Sequence, residues 1–365
     1  MIKILTKYIS KQIYIAFFFM LISFVALFIF FDFLTEIKSI GKANYSTILA
    51  FTHVALQVPD RFYEFSPIAA LIAGVFVLSR LSVKSEFVVF RTSGMQPRKL
   101  VQILFGLGIP IVIVIFLLGE FISPISESIS HSIRQQALGE NSSSKLKSGI
   151  WLKNDNPSQK QFIHIGLQNA NKLEYIQIYK FSPNFVLQEF ISAREGIIEN
   201  NQWFLKQVKT LTINKSNQEV KASLDYKQHI IENININPNF FSSLSLKPSQ
   251  LSISNLYNHI KYLKINKQNS YEYELAFAKK LIYPFSAILM LFLCIPFAYL
   301  HGRRGGIGIK MFMGIMLGLS FYLFYTLISK LANFSGLSVW TIQLIPFFMY
   351  SILAIIGYTI ASKKG

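Results

Sequence analysis

Four side chains that can carry a positive charge lie close to long apolar stretches of the sequence. They are Lys38, Lys42, His131 and Arg134. Cationic side chains bind phosphate and carboxylate through charge-assisted hydrogen bonds, which are stronger than neutral ones. Beside a membrane they could hold the anionic head group of a lipid whose acyl chains lie between helices. They could equally be interfacial anchors whose long side chains reach from apolar surface to water, and the residues alone leave both interpretations open.

A second candidate site is a short charged segment between two apolar stretches, residues 80–94. At helical spacing its aromatic and charged side chains fall on one side, and Gly94 suits the position just after a helix C-terminus. The pattern predicts a short amphipathic helix at about 82–94, which either docks a cytoplasmic partner or lies in the membrane interface. The residues that would dock the partner are Glu86, Phe87, Phe90 and Arg91.

Signatures of catalysis, metal binding and nucleotide binding are missing from the sequence. The 6 His are scattered without an H-E-x-x-H pattern, and no G-x-x-x-x-G-K-[ST] motif is present. The single Cys, Cys294, excludes a disulfide framework and a Cys-based metal site. Its position in an apolar stretch predicts a packing role. The sequence therefore predicts no enzyme activity, no metal and no cofactor.

The elements that must position these residues are membrane helices. Apolar residues make up 52% of the 365 residues and charged residues 15%, whereas about 25% charged is usual in soluble proteins. A helix needs about 20 apolar residues to cross the hydrocarbon core. Six stretches approach or reach this length: Ile13–Phe33, Phe65–Leu81, Leu100–Ile122, Leu281–Leu300, Met311–Ile328 and Val339–Ala361. The second is the shortest, and Pro67 suggests that it is bent or tilted.

Basic residues are distributed unevenly among the short loops. Most of them lie at the N-terminus, between spans two and three, between spans four and five, and at the C-terminus. Cytoplasmic loops carry such an excess of Lys and Arg. We therefore expect both termini in the cytoplasm, and we attribute the formal net charge of +18 to membrane topology rather than to nucleic-acid binding.

Between spans three and four lies a polar segment, residues 123–276, in which the pattern changes to the alternation typical of β-strands. Short runs rich in Ile, Phe, Tyr and Val are separated by Asn, Ser, Pro and Gly, which predicts an all-β sandwich or roll. The predicted strands are Ile150–Lys153, Gln161–Gly166, Leu173–Tyr179, Val186–Ala193, Gly196–Ile198, Trp203–Ile213 and Glu219–Tyr226. Flanking helices are predicted at Glu127–Leu138 and Ser254–Lys264. The predicted domains are residues 1–122 and 277–365, with three transmembrane helices each, and 123–276, which lies outside the cytoplasm.

Five segments resemble the LptF/LptG (YjgP/YjgQ) family of lipopolysaccharide export permeases. They are Phe65–Leu71, Ser85–Gly94, Ser148–Lys153, Leu251–Leu263 and Tyr273–Pro284. Their order and spacing extend the resemblance over essentially the whole chain, and the last two segments are more similar to the LptG branch. In this family six transmembrane helices carry a periplasmic β-jellyroll between helices 3 and 4. The resemblance therefore implies an α-helical membrane protein with an all-β jellyroll-like domain.

The resemblance also implies a function, as the permease subunit of an ABC transporter in the inner membrane of a Gram-negative bacterium. Such a permease pairs with a sister permease, here LptF-like, and a dimeric LptB-like ATPase docks under both. The pair extracts lipopolysaccharide from the inner membrane, and the jellyroll passes it to a periplasmic bridge that begins with an LptC-like protein. ATP is then hydrolysed by the partner, and the acidic residue of the coupling helix that contacts it matches Glu86.

Single residues can be matched to the lipopolysaccharide-facing positions of the family in the same way. Lys38 and Arg134 match basic residues that face the lipid. Asp32 and His131 depart from the pattern, since relatives can carry Lys and Arg there, and weaker phosphate binding is expected as a result. Lys42 has no motif match and is a nearby candidate to compensate.

The residues alone leave other classes of protein open. A membrane-anchored scaffold could use the β domain to bind a periplasmic partner without transport. A lipoprotein-releasing or other ABC-type lipid permease is a further alternative, although lipoprotein-releasing permeases usually have four spans. A membrane enzyme is disfavoured, because Glu120 is the only acidic residue within the third apolar stretch.

Overall fold

The computed structural model describes residues 2–84, 86, 89, 96–139, 149–155, 159–169, 172–199, 202–216, 219–232, 234, 246–299 and 306–363. The chain divides into two compact units. The membrane unit comprises Met1–Ile40, Thr47–Ser130 and Tyr271–Gly365, and the β unit comprises Gly41–Ser46 and His131–Ser270. The domain boundaries expected after residues 122 and 276 stay predictions.

Helices make up the membrane unit and flank the sheet of the β unit. In chain order they are α1 (Ile2–Glu36), α2 (Thr47–Leu56), α3 (Val58–Val83), α4 (Pro97–Leu117), α5 (Ser123–Ala137), α6 (Ile253–Ile265), α7 (Tyr271–Ile282), α8 (Ser286–Leu293), α9 (Ile295–Tyr299), α10 (Ile307–Ser335) and α11 (Val339–Lys363). Short 3-10 turns lie at Ile37–Ser39, Pro248–Gln250 and Tyr283–Phe285, and a π-helical turn joins α4 to α5 at Leu118–Ile122.

Among the described residues, six stretches of helix are long and apolar enough to cross a membrane, which confirms the predicted number. They are Thr6–Ser39, Val58–Val83, Pro97–Ala137, Tyr271–Tyr299, Ile307–Ala332 and Val339–Ile360. The second is not the shortest, because it begins at Val58 rather than Phe65 and continues through Pro67. The first two turns of α3 were not recognised from hydropathy, because they carry charged side chains. The partners of these side chains lie on other helices.

The centre of α3 is a strip of small residues that neighbouring helices approach closely. Ala69 and Ala73 are fully buried, and a Cβ atom on Gly74 would lie 2.6 Å from the sulfur of Cys294. Helices in lipid associate largely through such close packing, because lipid tails are as apolar as the side chains. The packing role predicted for Cys294 is confirmed, since its side chain is buried against this strip.

Helices α1 and α10 are packed much less completely than α3. Phe18 and Phe19 on α1 are 53% and 67% exposed, and Phe312 and Leu323 on α10 are 61% and 58% exposed. Their apolar faces therefore remain uncovered by the chain itself and are suited to contact acyl chains or another membrane protein.

In the part of the β unit that the structure describes, six antiparallel strands form one sheet and follow one another in sequence order. They are β1 (Ile150–Asp155), β2 (Lys160–Asn169), β3 (Lys172–Phe181), β4 (Leu187–Glu199), β5 (Gln202–Ser216) and β6 (Glu219–Glu232). A β domain between the third and fourth spans is therefore confirmed. The prediction of separate strands at Val186–Ala193 and Gly196–Ile198 was wrong, because both belong to β4. Gly196 stays within the ladder, where a Cβ atom would lie 2.5 Å from the side chain of Ile176.

One face of the sheet carries the core of the β unit. Ile163, Ile178 and Trp203 are fully buried there. The side chain of Lys180 on β3 lies 2.9 Å from Glu232 on β6, although these strands are not neighbours. The sheet therefore curls around this core, and its opposite face is convex.

Helix α6 covers the edge strand β1. The Tyr262 hydroxyl donates to the Lys153 carbonyl at 2.8 Å and accepts from the Lys153 N–H at 3.1 Å. Asn266 Oδ1 accepts from the Asp155 N–H at 2.8 Å. These contacts satisfy backbone groups that an edge strand otherwise exposes to aggregation. The hydrogen bond from Lys153 to the Asp155 side chain lowers the pKa of that carboxyl group.

The N-terminus of α6 is capped by Ser252, whose Oγ accepts from the Asn255 N–H at 3.2 Å. The helix buries His259, which is 2% exposed. Burial disfavours the charged imidazolium and lowers the pKa of His259 to about 4.

Candidate functional site

The four basic candidates divide between the two units. Lys38 lies in the 3-10 turn after α1 and is exposed. Lys42 belongs to the β unit, as do His131 and Arg134 on α5. The backbone N–H of Asn44 donates to the Ala137 carbonyl at 2.9 Å, which brings the turn of Lys42 to the end of the helix that carries Arg134. Gly41 allows this turn, since its φ is +86°.

His131 is engaged by the β unit itself. Its Nε2 atom lies 2.9 Å from the Nε2 atom of Gln250, which belongs to the 3-10 turn before α6. This contact occupies one ring nitrogen of His131, and an imidazole offers a phosphate fewer donors than the Arg that relatives can carry at this position.

Asp32, the second departure from the family pattern, forms an ion pair with Arg61 on α3. The guanidinium donates from Nε to Oδ2 at 2.8 Å and from Nη2 to Oδ1 at 3.0 Å. This paired geometry is the strongest that Arg and a carboxylate form. The carboxylate in the first span is therefore neutralised within the chain.

Arg61 also connects this pair to two further residues. Its Nη1 atom donates to Glu64 Oε2 at 2.9 Å, and the Tyr322 hydroxyl of α10 donates to Glu64 Oε1 at 2.6 Å. We call Asp32, Arg61, Glu64 and Tyr322 the Arg61 junction. It joins α1, α3 and α10 through charged and hydroxyl groups.

The Arg61 junction was not predicted from the sequence. Two signals were available. A charged residue in an apolar span is costly without a partner, which applies to Asp32, and Arg61 and Glu64 are spaced i, i+3 on one helix face.

A second group of polar contacts surrounds the π-helical turn. The Lys280 ammonium donates to the Gly119 carbonyl at 2.8 Å, and the Ser123 hydroxyl donates to Asp60 Oδ1 at 2.8 Å. A π-turn shifts the backbone hydrogen bonds of a helix and is frequent at functional sites. Here it presents a carbonyl to a buried lysine and so ties the third span to the fourth.

The segment predicted to contact an ATPase, residues 82–94, is described only in part. Glu86 accepts a hydrogen bond from the Tyr8 hydroxyl of α1 at 3.1 Å, at an exposed position. The helix predicted at about 82–94 overlaps the end of α3 at Val83. Phe87, Phe90 and Arg91 lie outside the described residues. The contact from Tyr8 was not expected from the sequence.

Within the described ranges, no three His, Cys, Asp or Glu residues are grouped so that they could hold a metal ion. The arrangement instead combines six apolar spans, charged groups that tie spans together, and a β unit inserted between the third and fourth spans. It defines a multi-pass membrane protein with an inserted β domain.

The comparison with protein families identifies that class more closely. The family of the lipopolysaccharide export system permease LptF/LptG matches residues 7–359, and the chain belongs to this family. It is therefore a transport subunit and a multi-pass protein of the inner membrane.

Curated relatives give the same result. The chain is 27% identical over 358 residues to the lipopolysaccharide export system permease protein LptG of Haemophilus influenzae, covering 97% of each chain. It is also 27% identical over 358 residues to the protein of that name from Escherichia coli K12, covering 96% of this chain and 97% of the relative. The stated similarity to LptG is confirmed.

Proposed function

We propose that this protein is the LptG-like membrane subunit of an ABC transporter that extracts lipopolysaccharide from the inner membrane and passes it toward the outer membrane. One observation carries the proposal: the family match extends from residue 7 to residue 359, so it includes both the six spans and the inserted β unit. The curated relatives named above are themselves lipopolysaccharide export permeases.

The uncovered faces of α1 and α10 support a role in handling lipid. Their exposed Phe and Leu side chains match the chemistry of acyl chains, while a sister permease, LptF-like, would cover the remaining apolar surface. Lys38 in the membrane unit, and Lys42 and Arg134 in the β unit, would each contact the anionic sugars. His131 would contribute less, because its Nε2 atom already contacts Gln250 within the β unit.

Energy would come from a separate LptB-like ATPase in the cytoplasm. Glu86 would contact a basic residue of that ATPase, and Phe87, Phe90 and Arg91 would complete the docking surface. This assignment requires both termini on the cytoplasmic side, as the uneven distribution of basic residues predicts. The β unit would then lie in the periplasm, where it could deliver lipid to an LptC-like bridge.

Photocrosslinking of lipopolysaccharide to the purified complex, with and without ATP, tests the proposal. Lys38→Glu and Arg134→Glu should each reduce crosslinking by about tenfold or more, because each replaces a charge-assisted contact worth roughly 1.5–3 kcal/mol by repulsion. Lys261→Glu is the matched control, since Lys261 is an exposed lysine on α6.

The scaffold alternative makes the opposite prediction. If the complex contains no ATPase, or if ATP releases no lipopolysaccharide from wild-type protein, the transport function is wrong. If crosslinking is undiminished in both variants while transport persists, Lys38 and Arg134 are only interfacial anchors.

A further inference from the structure

The convex face of the sheet carries two parallel rows of side chains that the export function has not explained. One row runs in register across all six strands, from Trp151 on β1 to Tyr226 on β6. Between these two aromatic residues lie the hydrogen-bonding side chains of His164, Gln177, Ser192 and Lys209. We call this the polar row. At about 4.8 Å between strands it spans roughly 24 Å.

The adjacent row on the same face is apolar and equally continuous. It consists of Phe162, Tyr179, Phe190, Leu211 and Leu224, which also pair in register from β2 to β6. We call it the apolar row. The core of the β unit lies on the opposite face, so these side chains are not needed to fill it.

The aromatic rings of the two rows are in mutual contact. The Trp151 ring centroid lies 4.7 Å from that of His164 and 6.0 Å from that of Tyr179, to which it is nearly parallel at 24°. The Tyr179 and Phe190 centroids are 4.9 Å apart. Each ring is therefore held in position by its neighbours, which lowers the entropy lost when a ligand stacks on it.

Cross-strand ring pairs also stabilise sheets, but that role does not explain why the apolar side chains at the ends of the rows are exposed. Trp151 is 54% exposed, Leu224 55% and Tyr226 66%. Exposed apolar groups that form one continuous patch usually mark an interaction site. Lys209, whose ammonium lies 5.5 Å from the Tyr226 ring centroid, adds a positive charge beside it.

The two rows match the two surfaces of a sugar chain. A pyranose ring has an apolar face of C–H groups, which stacks on aromatic rings, and an equatorial edge of hydroxyls, which bonds to amide, hydroxyl and imidazole groups. A protein partner would favour an apolar patch without a polar strip through it, whereas adjacent polar and apolar rows serve an oligosaccharide along its length.

We infer that the convex face of the β unit binds an oligosaccharide chain carrying negative charge, with Trp151 and Tyr226 as stacking platforms and Gln177, Ser192 and Lys209 as hydrogen-bonding groups. This rests on the proposed function in one respect: the natural ligand is then the sugar portion of lipopolysaccharide. The contact is separate from the acyl chains and keeps the sugars on the outside of the sheet.

Deacylated lipopolysaccharide, which keeps its sugars and phosphates but has no acyl chains, is the probe. Its dissociation constant for the full chain in detergent can be measured by ligand-observed NMR. Trp151→Ala and Tyr226→Ala should each weaken binding by about five- to tenfold, in line with the loss of an aromatic contact, and Trp151→Phe should retain most of it. Trp340→Ala is the matched control, because Trp340 is 47% exposed but lies on α11 of the membrane unit.

Several results would overturn the inference. They are absence of binding to the wild-type chain, equal binding by the Trp151 and Trp340 variants, or loss of a co-purified protein in Trp151→Ala with unchanged sugar binding. The fluorescence of buried Trp203 reports whether each variant is folded. ATP-dependent release of intact lipopolysaccharide, measured in parallel, tests the transport function independently.

Discussion

The two ends of α3 meet their surroundings in different ways. In its first two turns Arg61 and Glu64 bind Asp32 and Tyr322, so charged and polar groups of three helices satisfy one another within the chain. Beyond its last turn, Glu86 accepts a hydrogen bond from Tyr8, whose side chain is 41% exposed. The N-terminal end of α3 holds helices together, whereas the Glu86 carboxylate beyond its C-terminal end is placed where it can exchange partners.

The largest effect is expected on ATPase binding, when Glu86 beyond the C-terminal end of α3 is replaced. Glu86→Lys should abolish co-purification of the ATPase, because removing one partner of a desolvated charge pair costs about 2–5 kcal/mol and the new lysine adds repulsion. Glu86→Ala should have a smaller effect, and both variants should change the melting temperature of the membrane unit only slightly, since each removes one exposed hydrogen bond. Glu195→Lys, at an exposed position on β4, is the control. Wild-type assembly and lipid release in both Glu86 variants would contradict the coupling role.

The Arg61 junction should show the reverse behaviour. Replacing its residues should lower the stability of the membrane unit before it affects assembly. Arg61→Ala leaves Asp32 and Glu64 without their cation and should cost about 2–3 kcal/mol. The estimate lies below that for a fully buried pair, since Arg61 and Asp32 are 26% and 23% exposed. Circular dichroism of the helices during heating measures this, with Arg98→Ala as the exposed control. An unchanged melting temperature would show that the junction does not hold the helices together.

The β unit provides an internal reference for these stability measurements. The unfolded chain protonates His259 near pH 6.5, but the folded unit does so only near pH 4. Between these values the unfolded state binds more protons, so stability rises with pH and is lost as pH falls. Lowering pH from 7.5 to 5 should cost about 2 kcal/mol, measured through Trp203 fluorescence after Trp151 and Trp340 are replaced by Phe.

A non-titrating side chain at position 259 is the control for this pH dependence. His259→Asn should flatten the slope between pH 7.5 and 5, and Arg61→Ala should leave the slope unchanged. A slope that survives in His259→Asn would assign the pH dependence to other groups.

The smallest effect is expected from removing the hydroxyl that binds Glu86. Tyr8→Phe deletes one exposed hydrogen bond, worth about 1 kcal/mol. If Tyr8 and the ATPase compete for Glu86, this variant should bind the ATPase up to about fivefold more tightly in a titration with purified ATPase. Weaker binding would show instead that Tyr8 positions Glu86 for its partner.

The sequence predicted the elements that depend on local pattern. Six apolar stretches and the alternating runs after residue 149 were recognisable, because helix length in lipid and strand periodicity are properties of neighbouring residues. The error was to divide β4 into two strands, because Gly196 was taken as a break between them. Its place in the ladder depends on the Ile176 side chain across the strands, which local pattern does not contain.

The polar contacts of the membrane unit were harder to predict from the sequence. Asp32 and Arg61 are 29 positions apart, and which residues face each other depends on how α1 packs on α3. A need for some partner was predictable from the cost of a charge in lipid, but the partner itself was not. The basic candidates at 38, 42, 131 and 134 came from pattern and family resemblance, and their roles stay predictions.

The Asp32–Arg61 pair also constrains how this protein can evolve. If Arg61 changes alone, Asp32 and Glu64 both lose their cation, and if Asp32 changes alone, Arg61 keeps only Glu64, so single replacements are disfavoured. The two positions should therefore vary together among homologues, with a basic residue at the first accompanied by an uncharged or acidic residue at the second. A head group richer in phosphate would favour that exchange, and the charge at position 32 would then record which lipid each lineage exports.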